Sequence, residues 1–111
     1  NFGLEPSWVQ IYPYQSLAKP GETLELQICM TNFLDRLTQA EITLALPARW
    51  VSTPAKVVLQ LAPSSRAVAP VRIHIPAAFP FSYPRLAIAA EVTFDGQRLG
   101  QITEAVIEKR V

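Results

Sequence analysis

The chain has 111 residues, of which 50% are hydrophobic and 17% are charged, and its formal net charge is +1. This length suits one domain that buries its own core, and the composition is too apolar for an intrinsically disordered chain. The balanced charge gives no electrostatic case for nucleic acid or an anionic membrane as partner. The ten prolines argue against a helical bundle, because proline breaks helix interiors.

Residues 1–6 are predicted to be a linker or a tag remnant, and residues 7–111 a single domain. The sequence begins with Asn1 rather than methionine. We therefore expect a piece of a larger protein, either a processed form or an excised domain. No apolar run approaches the roughly 18 residues that a membrane-spanning helix needs, and no segment has the pattern of a signal peptide.

Seven runs alternate apolar and polar residues with the period of two that indicates a strand with one buried face. In chain order they are residues 7–14, 23–31, 40–46, 56–61, 66–75, 85–94 and 97–108. Pro13 indicates that the first run is an edge strand or that Pro13 lies at its frayed end, because proline cannot donate a ladder hydrogen bond. Phe33 and Leu37, in the connection after the second run, are predicted to pack on the rim of the core.

Turn chemistry supports the boundaries of these runs. Pro20-Gly21 precedes the second run, and Asp95-Gly96 is a strong hairpin signal before the seventh. The alternation slips close to Gly100, so a β-bulge is predicted there. The pattern predicts an all-β fold, a seven-stranded antiparallel β-sandwich of the immunoglobulin or fibronectin type III kind. We expect the first, second and fifth strands in one sheet and the other four in the second sheet.

Few residues are candidates for catalysis. His74 is the single histidine and lies on the polar face of its strand, so it cannot form a histidine-based metal site alone. Cys29 is the single cysteine and is placed at an outward strand position. With one cysteine an intrachain disulfide is impossible, and the cysteine count does not indicate the cellular compartment. The outward glutamates are predicted to be solvated or paired across strands with Arg98 or Lys56. We predict no catalytic residue, no metal site and no cofactor.

Aromatic residues form the candidate binding features. Phe79, Phe81 and Tyr83 are separated by prolines in the loop 79–84, and they can present rings to a sugar, a peptide or a neighbouring domain. The other interpretation is that these rings plug the end of the sandwich. Trp50, just after a strand and Pro47, either caps the core or stacks on a ligand. These four aromatic residues are the candidate ligand-binding or partner-binding residues.

Several short motifs are spaced as in one bacterial family. They are Pro20-Gly21-Glu22, the strand end Thr31-Asn32, Leu46-Pro47-Ala48-Arg49-Trp50, Ile75-Pro76 and Asp95-Gly96. From about Pro6 to Glu108 the chain resembles the Ig-like modules known as NPCBM-associated, alpha-galactosidase-type domains, near relatives of the CARDB-like sandwiches. The resemblance implies a non-catalytic accessory module of a larger extracellular or cell-envelope protein, often a glycoside hydrolase and sometimes a metallo-β-lactamase-like hydrolase. The loop 79–84 departs from the family pattern, in which a plainer turn is expected.

The expected function is that of an Ig-like accessory domain, C-terminal in its parent, which packs against, spaces or positions the catalytic domain of a bacterial hydrolase. Its partners would be other domains of the parent chain, with carbohydrate or another protein as further candidates, and neither nucleic acid nor membrane insertion is expected. One alternative is a carbohydrate-binding module that uses the loop 79–84. Another is strand addition by a partner at an edge strand such as residues 7–14. The resemblance alone suggests an extracellular or cell-envelope location, and a cytoplasmic one stays open.

Overall fold

The computed structural model describes residues 8–81 and 83–110, and every regular element in this part is a β-strand. The nine strands are β1 (Val9–Tyr12), β2 (Gln15–Ala18), β3 (Thr23–Thr31), β4 (Thr38–Ala45), β5 (Val51–Thr53), β6 (Val57–Leu61), β7 (Arg66–His74), β8 (Arg85–Phe94) and β9 (Gln97–Lys109). The described part holds no helix that is long and apolar enough to cross a membrane. The predicted linker at residues 1–6 lies outside the described residues.

Two sheets form a β-sandwich around one hydrophobic core. The four-stranded sheet has the order β1-β3-β7-β5, and the five-stranded sheet has the order β2-β9-β8-β4-β6. The predicted division of the strands between two sheets is confirmed, because β1, β3 and β7 share one sheet while β4, β6, β8 and β9 share the other. Two short strands, β5 and β2, are added to these sets.

The core follows from the period-two alternation. In β3 the side chains of Leu26, Ile28 and Met30 are buried, and in β4 those of Ile42 and Leu44 are buried. Both sheets therefore contribute inward rows to a single cluster. Because a strand's successive side chains point to opposite faces, the same alternation leaves a polar row outside each sheet.

The prediction of seven antiparallel strands is wrong at two places. The first run, residues 7–14, contains β1, and a further strand, β2, follows it directly; β1 pairs antiparallel with β3 whereas β2 pairs parallel with β9. Pro13 has no amide hydrogen to continue a ladder, so the chain leaves one sheet there and joins the other. The second place is β5, whose three residues before Pro54 are too few to show an alternation.

The predicted β-bulge near Gly100 is confirmed, and the pairing of β8 with β9 is irregular twice. The register shifts past Ile102 and again past Leu99, so neither residue faces a partner on β8. Gly100 lies between them with a φ of +79°, a left-handed conformation that glycine adopts without steric cost.

A buried asparagine ties together the end of the sandwich at which Trp8 lies, which we call the Trp8 end. The Asn32 side chain is fully buried, and its Nδ2 donates to the carbonyl oxygens of Arg36, Leu61 and Ala62 at 2.9, 3.2 and 3.0 Å. Its Oδ1 accepts a hydrogen bond from the Leu34 amide at 3.0 Å. One amide thus joins the β3–β4 connection to the start of the β6–β7 connection, and its own donors and acceptor are satisfied.

The opposite end, which we call the Arg110 end, carries the predicted Pro-Gly turn. Gly21 has a φ of +87°, and its amide donates to the Ile75 carbonyl at 2.9 Å. The Arg110 amide donates to the Ala18 carbonyl at 2.9 Å, and its side chain pairs with Glu22. The chain therefore passes from Trp8 at one end of the sandwich to Arg110 at the other.

Candidate functional site

The predicted binding residues of the loop 79–84 form a packed cluster at the Arg110 end. Trp50 and Phe81 are buried, and Phe79 is partly buried against the core. The Phe79 ring lies 4.8 Å from that of Phe81 and 5.2 Å from that of Trp50, at interplanar angles of 85° and 80°. Such edge-to-face contacts are typical of a core. The geometry supports the interpretation that these rings close the end of the sandwich, since they offer no coplanar exposed platform.

Local backbone geometry holds this cluster in place. Arg49 and Phe81 have φ values of +71° and +47°, which is unusual for residues other than glycine. The Trp50 amide donates to the Pro47 carbonyl at 3.1 Å, which closes the turn before the ring. Tyr83 stands apart from the cluster, because 69% of its surface is exposed. Of the four predicted residues, the structure brings three together and leaves Tyr83 in solvent.

The ionisable side chains are paired along strand surfaces. Lys56 Nζ lies 3.0 Å from Glu41, and an Arg98 nitrogen lies 3.8 Å from Glu91, so the predicted cross-strand pairing is confirmed. His74 is exposed as expected, with Nδ1 3.2 Å from the Thr23 hydroxyl oxygen. Within residues 8–81 and 83–110, no three side chains of His, Cys, Asp or Glu converge in a way that could hold a metal ion.

The expectation of a solvent-facing Cys29 is wrong, because this residue is only 8% exposed. It does lie on the outer face of β3, since Ile28 and Met30 face the core. However, β3 is an inner strand, and Cys29 sits in register with Gln10 on one side and Val68 on the other. A side chain as small as that of cysteine is covered by such neighbours.

An exposed apolar surface at the Trp8 end was not anticipated. It comprises Phe33, Leu34, Leu99 and Ile102, and we call it the Phe33 patch. Phe33 packs on the rim as predicted and still exposes 48% of its surface, whereas the prediction for Leu37 is wrong, because 65% of it is exposed. A groove of about 540 Å³ runs between Phe33 and the two bulge residues of β9.

Aromatic packing makes the Phe33 patch rigid. The Phe33 ring is stacked on that of Phe94, with centroids 5.0 Å apart and planes 21° apart, and it meets the Trp8 ring edge-on at 5.3 Å. An ion pair between Arg36 and Asp95 borders it. A preformed apolar surface of this kind can bind a partner at little entropic cost.

Tyr12 separates two open grooves, which together we call the Tyr12 trough. The first groove, of about 630 Å³, crosses the outer face of the four-stranded sheet and is lined by Tyr12, Glu25, Gln27, Thr53, Pro70 and Arg72, among others. The second, of about 580 Å³, lies where the chain passes from β1 to β2 and is lined by Gln10, Ile11, Tyr12, Tyr14, Thr103 and Glu104. Both tyrosines are largely exposed. The sequence signal for this site is the pair of tyrosines around Pro13.

No family model matches the sequence, and no curated protein matches it. Among solved structures, the chain is similar to WR4, a member of the MSP family from C. elegans, with 10% sequence identity and a TM-score of 0.50 over 92% of this chain and 95% of that one. It is also similar to part of the alkylpurine DNA glycosylase AlkC of Pseudomonas fluorescens, solved bound to DNA that contains an abasic site analog. That match has 16% identity and a TM-score of 0.47, and covers 93% of this chain and 29% of the other. The likeness to WR4 agrees with an Ig-like β-sandwich, and at such low identity it concerns the fold alone.

Proposed function

We propose that this chain is a non-catalytic Ig-like accessory domain of the NPCBM-associated or CARDB-like kind, which packs against and positions the catalytic domain of a larger bacterial hydrolase. The observation that carries the proposal is the Phe33 patch, a rigid apolar surface beside the point where the described chain enters the sandwich. A domain joined to the chain before Trp8 would lie at this end. Docking there would remove Phe33 and Ile102 from water.

The course of the chain supports a spacing role as well. Val9 pairs with Met30 near the Trp8 end, and Ala18 and Lys109 are paired at the Arg110 end. Segments joined before and after this domain would therefore be held at opposite ends of the sandwich. The C-terminal position in the parent and its hydrolase class come from the resemblance of the sequence, and they are part of the proposal.

The strand order supports an immunoglobulin-type topology within this proposal. In immunoglobulin lettering, β1-β3-β7-β5 corresponds to the sheet ABED, and β9-β8-β4 corresponds to GFC. In this description β2 and β6 are additional edge strands of the second sheet. We expect this strand order in an accessory module whose core is filled by its own side chains.

The alternative function, carbohydrate binding by the loop 79–84, remains a prediction, but the observed geometry does not favour it. Trp50, Phe79 and Phe81 would have to leave the core to stack on a sugar, and Tyr83 alone is exposed. Burial of each large aromatic side chain contributes on the order of 2 kcal/mol, so unpacking them would cost more than a sugar contact returns.

The experiment is a comparison of the full natural protein with versions altered at the Phe33 patch. Phe33→Ser with Ile102→Ser is expected to lower the melting temperature of the neighbouring domain and to reduce its activity, as deletion of residues 7–111 would. Val68→Ser is the matched control, because Val68 is also about half exposed but lies on the outer face of the four-stranded sheet.

Three results would overturn the proposal. One is a deletion variant whose activity, stability and localisation equal those of the full protein. Another is a natural protein that contains no domain besides this one. Equal effects of the Phe33 patch variant and of Val68→Ser would leave no role for the patch and would also contradict it.

A further inference from the structure

The Tyr12 trough has a structural cause in the unequal lengths of the strands of the four-stranded sheet. The inner strands β3 and β7 have nine residues each, whereas the edge strands β1 and β5 have four and three. β1 ends at Tyr12, opposite Gln27 of β3, and β5 ends at Thr53, opposite Arg72 of β7, so the two edge strands end on opposite sides of the middle of the sheet. The first groove lies over this middle part, at residues 25–27 and 70–72.

The register arranges the polar side chains of the groove in two rows. Tyr12, Gln27 and Pro70 form one row across β1, β3 and β7, and Glu25, Arg72 and Thr53 form the next across β3, β7 and β5. The Arg72 guanidinium lies 3.1 Å from the Glu25 carboxylate, and both groups remain largely exposed. An aromatic ring therefore stands beside an amide, a hydroxyl and an ion pair with free hydrogen-bonding capacity.

We propose that the Tyr12 trough binds a neutral polysaccharide. Sugar faces pack on the Tyr12 and Tyr14 rings, while Gln27, Glu25 and Arg72 hydrogen-bond to hydroxyl groups. A neutral ligand fits the charges, because the two grooves contain the carboxylates of Glu25 and Glu104 and one guanidinium. An anionic chain would meet a net negative lining.

The position of the first groove separates this proposal from strand addition by a peptide. Peptides that add a strand bind at a sheet edge through main-chain hydrogen bonds. The first groove lies over the outer face of the sheet, where side chains project and where a flat sugar ring can rest. This site shares no residue with the Phe33 patch, so it neither requires nor excludes the docking function proposed above.

The test is titration calorimetry of the 111-residue chain with soluble neutral polysaccharides, a β-glucan, a mannan and a xylan, and with polygalacturonate as the anionic counterpart. Saturable binding of at least one neutral polysaccharide is expected. Tyr12→Ala should weaken it roughly tenfold or more, because it removes the stacking ring from an outward position and leaves the core intact. Gln27→Ala should weaken it less.

Tyr83→Ala is the matched control, because Tyr83 is as exposed as Tyr12, at 69% against 64%, and lines neither groove. Its affinity should equal that of the unaltered chain, and circular dichroism should show both variants folded. Four results overturn the proposal: no binding of any neutral polysaccharide, binding of polygalacturonate alone, unchanged affinity in Tyr12→Ala, or loss of binding in Tyr83→Ala. The last result would move the site to the loop 79–84.

Discussion

Exchange of the Asn32 amide for a carboxylate is a sharp test of how the Trp8 end is held together. Asn32→Asp keeps the shape of the side chain but replaces the Nδ2 donor by an oxygen that faces three carbonyl oxygens at 2.9 to 3.2 Å. Loss of the two N–H donors costs about 2 kcal/mol, and burial of an unpaired carboxylate adds a cost of the same order. We therefore expect the free energy of unfolding to fall by about 4 kcal/mol at pH 7.

The pH dependence of this loss follows from the same geometry. Burial and the facing carbonyl dipoles raise the pKa of the introduced carboxyl group in the folded state, so the charge penalty grows as the pH rises above the unfolded value of about 3.9. At pH 3 the group is protonated in both states, and the loss should shrink to about 2 kcal/mol. Stability then rises less steeply with pH in the variant than in the unaltered chain.

Urea unfolding followed by the fluorescence of the buried Trp8 and Trp50 measures this difference. With a slope of about 2 kcal/mol per molar urea, the midpoint at pH 7 should move by roughly 2 M. Gln60→Glu is the control, because it also converts an amide to a carboxylate, at an exposed side chain that donates to Gln39 at 2.9 Å. Equal midpoint shifts in the two variants, or a loss in Asn32→Asp that does not shrink at pH 3, would refute the reasoning.

Three further predictions concern the Arg110 end. Phe81→Ala should lower the free energy of unfolding by about 3–4 kcal/mol because it leaves a cavity in the ring cluster, whereas Tyr83→Ala should change it by less than about 0.5 kcal/mol. Similar urea midpoints for the two variants would mean that the loop does not plug the core. Arg49→Gly should raise the melting temperature by about 3 °C, because it relieves a left-handed φ at an exposed residue, whereas Arg66→Gly in the extended strand β7 should lower it. Changes in melting temperature of the same sign in a calorimetric scan of the two variants would contradict this. The Lys19 backbone amide donates a hydrogen bond to Glu22 Oε1 at 2.6 Å. This hydrogen bond, and after it the Arg110 guanidinium, holds the pKa of Glu22 below its usual range. The contribution of ionised Glu22 to stability is thus complete above the unfolded pKa and is lost as the pH falls through the lower folded pKa. An NMR titration of Glu22 that shows an ordinary or raised pKa would contradict this, as would a Glu22→Gln variant whose stability falls at low pH in the same way as that of the unaltered chain.

Much of the fold could be predicted because the decisive signals are local. Alternation in β3 and β4 depends only on neighbouring residues, and so do the turns at Pro20-Gly21 and Asp95-Gly96. A strand with one apolar face must bury that face, which leads from these patterns to two sheets with one core. The bulge near Gly100 was likewise visible as a break in the alternation.

The candidate sites were not visible in this way. The sequence could point to aromatic residues, but whether a ring is buried depends on the elements that surround it in space. Phe81 is buried because Trp50 meets it from a distant part of the chain, beside its loop neighbour Phe79. Tyr12 is exposed because β1 ends and the chain changes sheets at Pro13.

The sequence by itself therefore determined seven of the nine strands and the β-sandwich, because the period of side chains along a strand is a property of adjacent residues. Tertiary structure alone decided the parallel pairing of β2 with β9, the cover over Cys29 and the exposure of Phe33 and Tyr12. These features are set by pairs of strands far apart in the chain. No local pattern fixes which side chains such pairs cover and which they leave in contact with water.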